Sequence, residues 1–233
     1  MTTTRQPEPA DEVAPLQTVV ADGADELPRA HNERVLGGLV GRTVMLGCVL
    51  FTAMHLYALN IAPIETWTFR ILHIAGGLMV GFAITAAMSV DPEGGAGKGS
   101  RPAGLERLAA LITALASGYA GACALALWGL SEGPGVAVTN WLPLHLAVAL
   151  AIASVAGVVS SWCFPSRGDR IHWPDLALMV SALVVAAFLI FVLGRWRMAA
   201  GTPLVGTPEL LVSASGVLLI MELTRRIAGL ALI

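Results

Sequence analysis

The chain has 233 residues, of which 56% are hydrophobic and only 13% charged, a balance outside that of ordinary soluble domains and typical of an integral membrane protein. Its formal net charge is −2, and no basic stretch is interleaved with aromatics, so nothing points to nucleic acid as a partner. The three cysteines, Cys48, Cys123 and Cys163, are far apart in apolar surroundings and form no Cys-x-x-Cys or Cys/His cluster. They read as small buried apolar residues, with no redox or metal role expected.

Residues 1–34 hold seven acidic side chains against Arg5, Arg29 and Arg34, with four prolines and little apolar periodicity. This composition predicts a disordered acidic cytoplasmic tail ahead of a membrane domain covering 35–233. The tail lacks a basic segment followed by an apolar core, so the first apolar helix is expected to act as the insertion signal.

The first span is predicted over about 35–59, long enough for a hydrocarbon core that needs ~20 residues. Arg42 lies close enough to its start to snorkel. The second span is predicted over 67–90, with Gly77 and Gly81 on one face offering close helix approach. A glycine-rich loop with Lys98 and Arg101 comes next.

The third span, about 105–130, carries Ala110, Ala114, Gly118, Ala122 and Ala126 at intervals of four. The fourth, about 141–164, repeats the device with Ala149, Ala153, Gly157 and Ser161. These columns predict an antiparallel hairpin whose two helices touch along them, with Gly118 and Gly157 as packing positions. The fifth span, about 173–194, opens with Pro174 and Asp175, both favourable in a first helical turn. The last, about 209–230, carries Glu222 three and four residues before Arg225 and Arg226, so all three share a helical face and can pair. The arginine pair is expected to seek water and head groups at the helix exit.

Short-loop basic residues concentrate in the tail, in 91–104, in 165–172 and after Glu222, with Arg195 and Arg197 opposite. The expected fold is therefore an all-α bundle of about six transmembrane helices with both termini cytoplasmic.

Ionisable residues inside apolar spans are functional suspects. Arg70 and His73, one turn apart and preceded by Glu65, suggest either a lipid- or partner-docking cluster or simple interfacial snorkelling. Glu222, Arg225 and Arg226 carry the same alternatives, with docking the stronger. His55, His73 and His145 admit a haem-binding or quinone-linked anchor, against the plainer reading of hydrogen-bonded interfacial histidines. No Gly-x-Ser-x-Gly, P-loop, His-Glu-x-x-His or dinucleotide loop occurs. No catalytic residue, metal site or cofactor is expected, and no enzyme.

Three stretches resemble one family. Glu222-x-Thr224-Arg225-Arg226-x-x-Gly229-Leu230 is similar to the join between the small and large membrane portions of TRAP transporters of the TAXI type. Arg70-x-x-His73 leading into a glycine-containing apolar helix resembles that family's second helix, and Trp173-Pro174-Asp175 the start of another. The resemblance implies a separately encoded, non-catalytic small subunit in the bacterial inner membrane. Its implied partners are a large transmembrane transport subunit, a periplasmic binding protein for organic acids, and membrane lipid. It also places Arg70, His73, Asp175, Glu222, Arg225 and Arg226 as candidate docking or interfacial residues. Such small subunits generally have four helices, so the third and fourth spans look like an inserted pair, which preserves the orientation of the later helices. The small subunit of a tricarboxylate-type tripartite carrier is a further alternative, separable by the neighbouring gene.

Overall fold

The computed structural model describes residues 33–87, 103–130, 141–164, 170–199, 202–203 and 205–228. The acidic tail up to residue 32, the predicted loops at 91–102, 131–140 and 165–169, and Gly229 with Leu230 lie outside the described residues. Seven helices are described: α1 (Gly38–Asn60), α2 (Thr66–Ile84), α3 (Ala103–Leu130), α4 (Trp141–Cys163), α5 (Trp173–Phe191), the short α6 (Leu193–Ala199) and α7 (Thr207–Ala228). Five of them, α1 to α5, are long and apolar enough to cross a membrane, and the chain is an all-helical multi-pass membrane protein. α7 has comparable length, 22 residues, but carries Glu209, Glu222, Arg225 and Arg226. It is the one predicted span that does not qualify on composition.

The centre of the bundle is α4 and α5. α4 buries a broad face from Leu142 through Ala153 to Ser161 and exposes a narrower one along Leu144, Val148, Ile152, Val155 and Val159. α5 is buried along most of its length from Pro174 to Phe191. α3 packs on both, and α7 lies mainly against α4 with α5 and α2 alongside. The predicted inserted pair, α3 and α4, is therefore built into the core. α7 buries Val212, Ser215, Leu219, Glu222 and Arg226, a single stripe at alternating three- and four-residue spacing. Its apolar part faces the core, and its charged part continues on the same side.

The outlier is α1. Only Ala58 along its 23 residues is buried, and it packs appreciably on α2 alone. Gly38 takes a φ of +62° where the chain turns into it, a conformation open to glycine at little cost.

Two boundaries differ from the sequence expectation. The second span ends at Ile84, short of 90, because Thr85 is extended and forms an isolated antiparallel bridge with Glu33. The fifth ends at Phe191, and residues 193–199 form α6 after a break at Val192.

The small-residue columns also behave differently from the prediction. Gly157 faces α5: a Cβ there would lie 2.9 Å from Cδ2 of Leu178. Gly118, Ala114 and Ala122 are exposed, and a Cβ on Gly118 would meet nothing within 4 Å. α3 instead buries Thr113, Ser117, Ala120, Ala124 and Leu127, a stripe offset from the column. The two columns therefore do not touch. On α2, Gly81 does receive a neighbour, Leu223 of α7, 2.6 Å from a built Cβ, whereas Gly77 meets nothing. The adjacent Gly76 is where the ring of Phe51 on α1 comes against the α2 backbone, a contact the sequence reading misses.

Candidate functional site

The ion pairs of the bundle gather at its two ends. At one end, α2 finishes, α4 finishes, α5 begins and α7 finishes, and the segment before α1 crosses beneath them. Here Arg34, Asp175, Arg226, Glu222 and Arg225 form one continuous chain of ion pairs.

Each member is placed by a local rule. Asp175 stands in the first turn of α5, after His172 as N-cap and Pro174, where the positive helix end favours a carboxylate. One of its oxygens accepts from Arg34, and the other from Arg226 at 2.7 Å. Glu222 sits three and four residues before the two arginines of α7 and pairs with both, accepting from Arg226 Nε at 2.7 Å and from Arg225 Nε at 2.8 Å. The end of α4 adds the indole N–H of Trp162, which donates to Glu222 Oε2 at 3.0 Å. Glu222 thus receives bonds from two cationic donors of its own helix and from a neutral donor of α4.

Three guanidinium groups face two carboxylates, and the surplus positive charge has a partner in the backbone. Helix ends leave their last carbonyls unpaired, with a partial negative charge. Arg34 donates to the carbonyls of Phe82 and Ala83 at 3.0 and 3.3 Å, Arg226 to Thr85 at 3.2 Å and Arg225 to Ala87 at 2.9 Å. The Arg34 backbone N–H takes the Ile84 carbonyl at 2.8 Å. Arg34 therefore caps the end of α2, and Arg226 and Arg225 hold the carbonyls just beyond it. Two also lie over aromatic rings, Arg225 on Trp162 at 5.0 Å and Arg226 on Phe82 at 4.9 Å.

Most of the network is sealed from solvent. Exposure is 1% for Arg226, 2% for Asp175, 3% for Glu222 and 7% for Arg34, and only Arg225 is half-buried. This corrects the expectation that Arg226 leaves the membrane for water: its side chain turns inward. It also takes Arg34 out of the predicted tail. Deleting one member of a buried ion network leaves its partner uncompensated, at a cost of about 3–5 kcal/mol. Beside the network, the imidazole of His172 stands 4.0 Å from Glu106. Burial pushes His172 below its ordinary value, outweighing the opposing pull of Asp175 and Glu106.

The opposite end is organised by rings and exposed charge. Glu65 caps α2, its Oε2 accepting from the Thr68 N–H at 2.8 Å, and its other oxygen meets Arg197 of α6 at 3.2 Å. The bond from Thr68 holds the Glu65 carboxyl below its ordinary value. Arg70 lies over the Trp67 ring at 5.7 Å and is exposed, apart from Glu65. The predicted cluster of Glu65, Arg70 and His73 is thus divided among different partners.

His73 pairs with His55 of α1 instead, Nδ1 to Nε2 at 2.6 Å. His55 Nδ1 lies 2.7 Å from the Phe51 carbonyl, which only accepts, so Nδ1 carries a proton. In a neutral pair His55 Nε2 then accepts, and His73 Nδ1 donates. Phe51 and Phe69 pack around both rings. A separation of 2.6 Å is a hydrogen bond, shorter than the roughly 3.3 Å between two nitrogens held at ~2 Å on a tetrahedral metal. His145 is elsewhere, 2.8 Å from the Tyr119 hydroxyl. Among the described residues no group of three or more His, Cys, Asp or Glu side chains is placed to hold a metal, and none of the cysteines is in a disulfide.

The arrangement at the arginine end suits holding rather than reacting, since both its carboxylates are saturated by cations. The sequence singles out Asp175, Glu222, Arg225 and Arg226 but misses Arg34 and Trp162. No protein-family model matches this chain, and neither the curated proteins nor the solved structures contain a match.

Proposed function

We propose that this chain is the non-catalytic small membrane subunit of a tripartite, ion-gradient-driven organic-acid importer of the TRAP kind, TAXI type, in a bacterial inner membrane. Its task in this reading is to brace a large transport subunit that moves substrate delivered by a periplasmic binding protein. The observation that carries the reading is the arginine-end network. It ties the approach to α1 and the ends of α2, α4, α5 and α7 into one unit, a construction suited to a part that stays still while another moves. Of the residues that carry the family resemblance, Asp175, Glu222, Arg225 and Arg226 are spent on it, whereas Arg70 and His73 lie at the opposite end. Both termini lie on the cytoplasmic side, and the long apolar flanks of α1 are surfaces offered to lipid and to the partner.

Co-expression with a large hydrophobic subunit encoded beside this chain tests the reading. The expected result is co-purification of the two from mild detergent, with organic-acid uptake in liposomes only when both are present with the binding protein. Uptake by this chain alone would refute the bracing role, and failure of the two to associate would refute the partner.

A further inference from the structure

α1 stands off the bundle and leaves a groove of about 660 Å³ between its own Val40, Val44 and Gly47 and the facing Met79 and Met179, with Arg170 at its mouth. A second hollow, of about 380 Å³, lies between α3 and α5 and is lined by Met79, Leu176 and Met179 as well. Because Leu176 also lines the first, the two share these three side chains and form one furrow. It starts at Arg170, at the arginine end, and follows α5 to Ala187, where the indole of Trp128 donates to the Ala187 carbonyl at 3.2 Å and closes it. Apart from the mouth, the lining is almost wholly apolar.

We propose that this furrow binds one phospholipid with an anionic head group, its phosphate on Arg170 and one acyl chain laid along α5. Three features select that occupant. The furrow is charged at one end only, and the charge is an exposed guanidinium, which suits a phosphate. From Leu176 to Ala187 it covers about 17 Å at 1.5 Å per residue, close to one leaflet of a ~30 Å hydrocarbon core. Two of the three shared side chains are methionines, whose flexible thioethers adapt to a chain with no fixed shape. The proposal does not depend on the transporter reading, since the site is complete within this chain.

Native mass spectrometry on the purified full-length protein, titrated with phosphatidylglycerol and with phosphatidylcholine of the same acyl composition, tests it. One lipid should be retained, with phosphatidylglycerol favoured by about five-fold, the size of a single arginine's attraction to an anionic head group. Arg170→Gln should abolish the preference while lipid remains bound. Arg42→Gln, at an exposed arginine that does not line the furrow, should leave the preference intact. Gly47→Leu and Gly121→Leu fill the furrow from positions where an added Cβ meets nothing within 4 Å, so the fold should persist, as an unchanged melting temperature would verify. Each should lower occupancy by both lipids several-fold. The proposal fails if the wild type retains no lipid, if the preference survives Arg170→Gln, or if both filled variants keep a full complement. It fails equally if the wild type runs as a lipid-free dimer that Gly47→Leu dissociates.

Discussion

The two ends of this bundle solve the same problem in opposite ways. At the arginine end, charged side chains are buried and join elements distant in sequence, Arg34 to Asp175 and Arg226 to Thr85. At the histidine end, the charged pair Glu65–Arg197 is exposed, and the packing is done by rings around His55 and His73. A buried ion network is costly to assemble and costly to breach, whereas an exposed pair is screened and cheap to lose. The difference teaches that a charge in a membrane helix is not by itself a sign of exit to water. Arg226 is a helix-end arginine, and it points into the protein.

The comparison breaks most visibly at Asp175, which alone joins two arginines across helices. Asp175→Ala strips Arg34 of its carboxylate and leaves Arg226 with Glu222 alone, and a loss of about 3–5 kcal/mol is expected, read as a large fall in the thermal midpoint in detergent. Retained stability would mean that solvent reaches the network. A smaller effect is expected from Gly157→Leu, which forces a branched side chain against Leu178 and should cost about 1–3 kcal/mol. Gly118→Leu, on a face that meets nothing, should stay within about 0.5 kcal/mol. Equal effects of the two would restore the paired-column picture.

The weakest response is expected at the histidine end. The folded-state carboxyl of Glu65 titrates below its unfolded value, so any stability it lends is complete above the ordinary carboxylate range and disappears as pH falls through the lowered value. Glu65→Gln should therefore flatten a slight acid-side decline in the thermal midpoint and leave neutral pH nearly unaffected. A strong effect at neutral pH would make this end as stiff as the other.

How far the sequence carries these results depends on the physics involved. Apolar length and turn residues place most helix ends to within three residues and the end of α2 to within six, because a membrane span needs a fixed run of apolar side chains. The pairing of Glu222 with Arg225 and Arg226 is legible too, since it is set by spacing on one helix. The inward turn of Arg226 is not. Which face of a helix packs depends on its neighbours, and the Val212–Ser215–Leu219 stripe that reveals it continues into charged residues that look like a helix exit. Arg34 is hidden for a related reason: it comes after an acidic, proline-rich stretch, and its partner is a helix start 141 residues away. The small-residue column of α3 misleads because alanine is frequent enough in this helix to fall into register on a largely uncovered face, and the column of α4 because it packs on α5 instead.

The central claim is that the arginine end is one coupled unit, and a double-mutant cycle on Asp175 and Arg226 tests it most directly. Thermal or denaturant unfolding of Asp175→Asn, Arg226→Met and the double variant gives the coupling between them. A coupling of about 1–3 kcal/mol is expected, with the double variant far less damaged than the two single losses combined. Losses that simply add, to within about 0.5 kcal/mol, would show that the two residues act separately and that the network does not hold the bundle together.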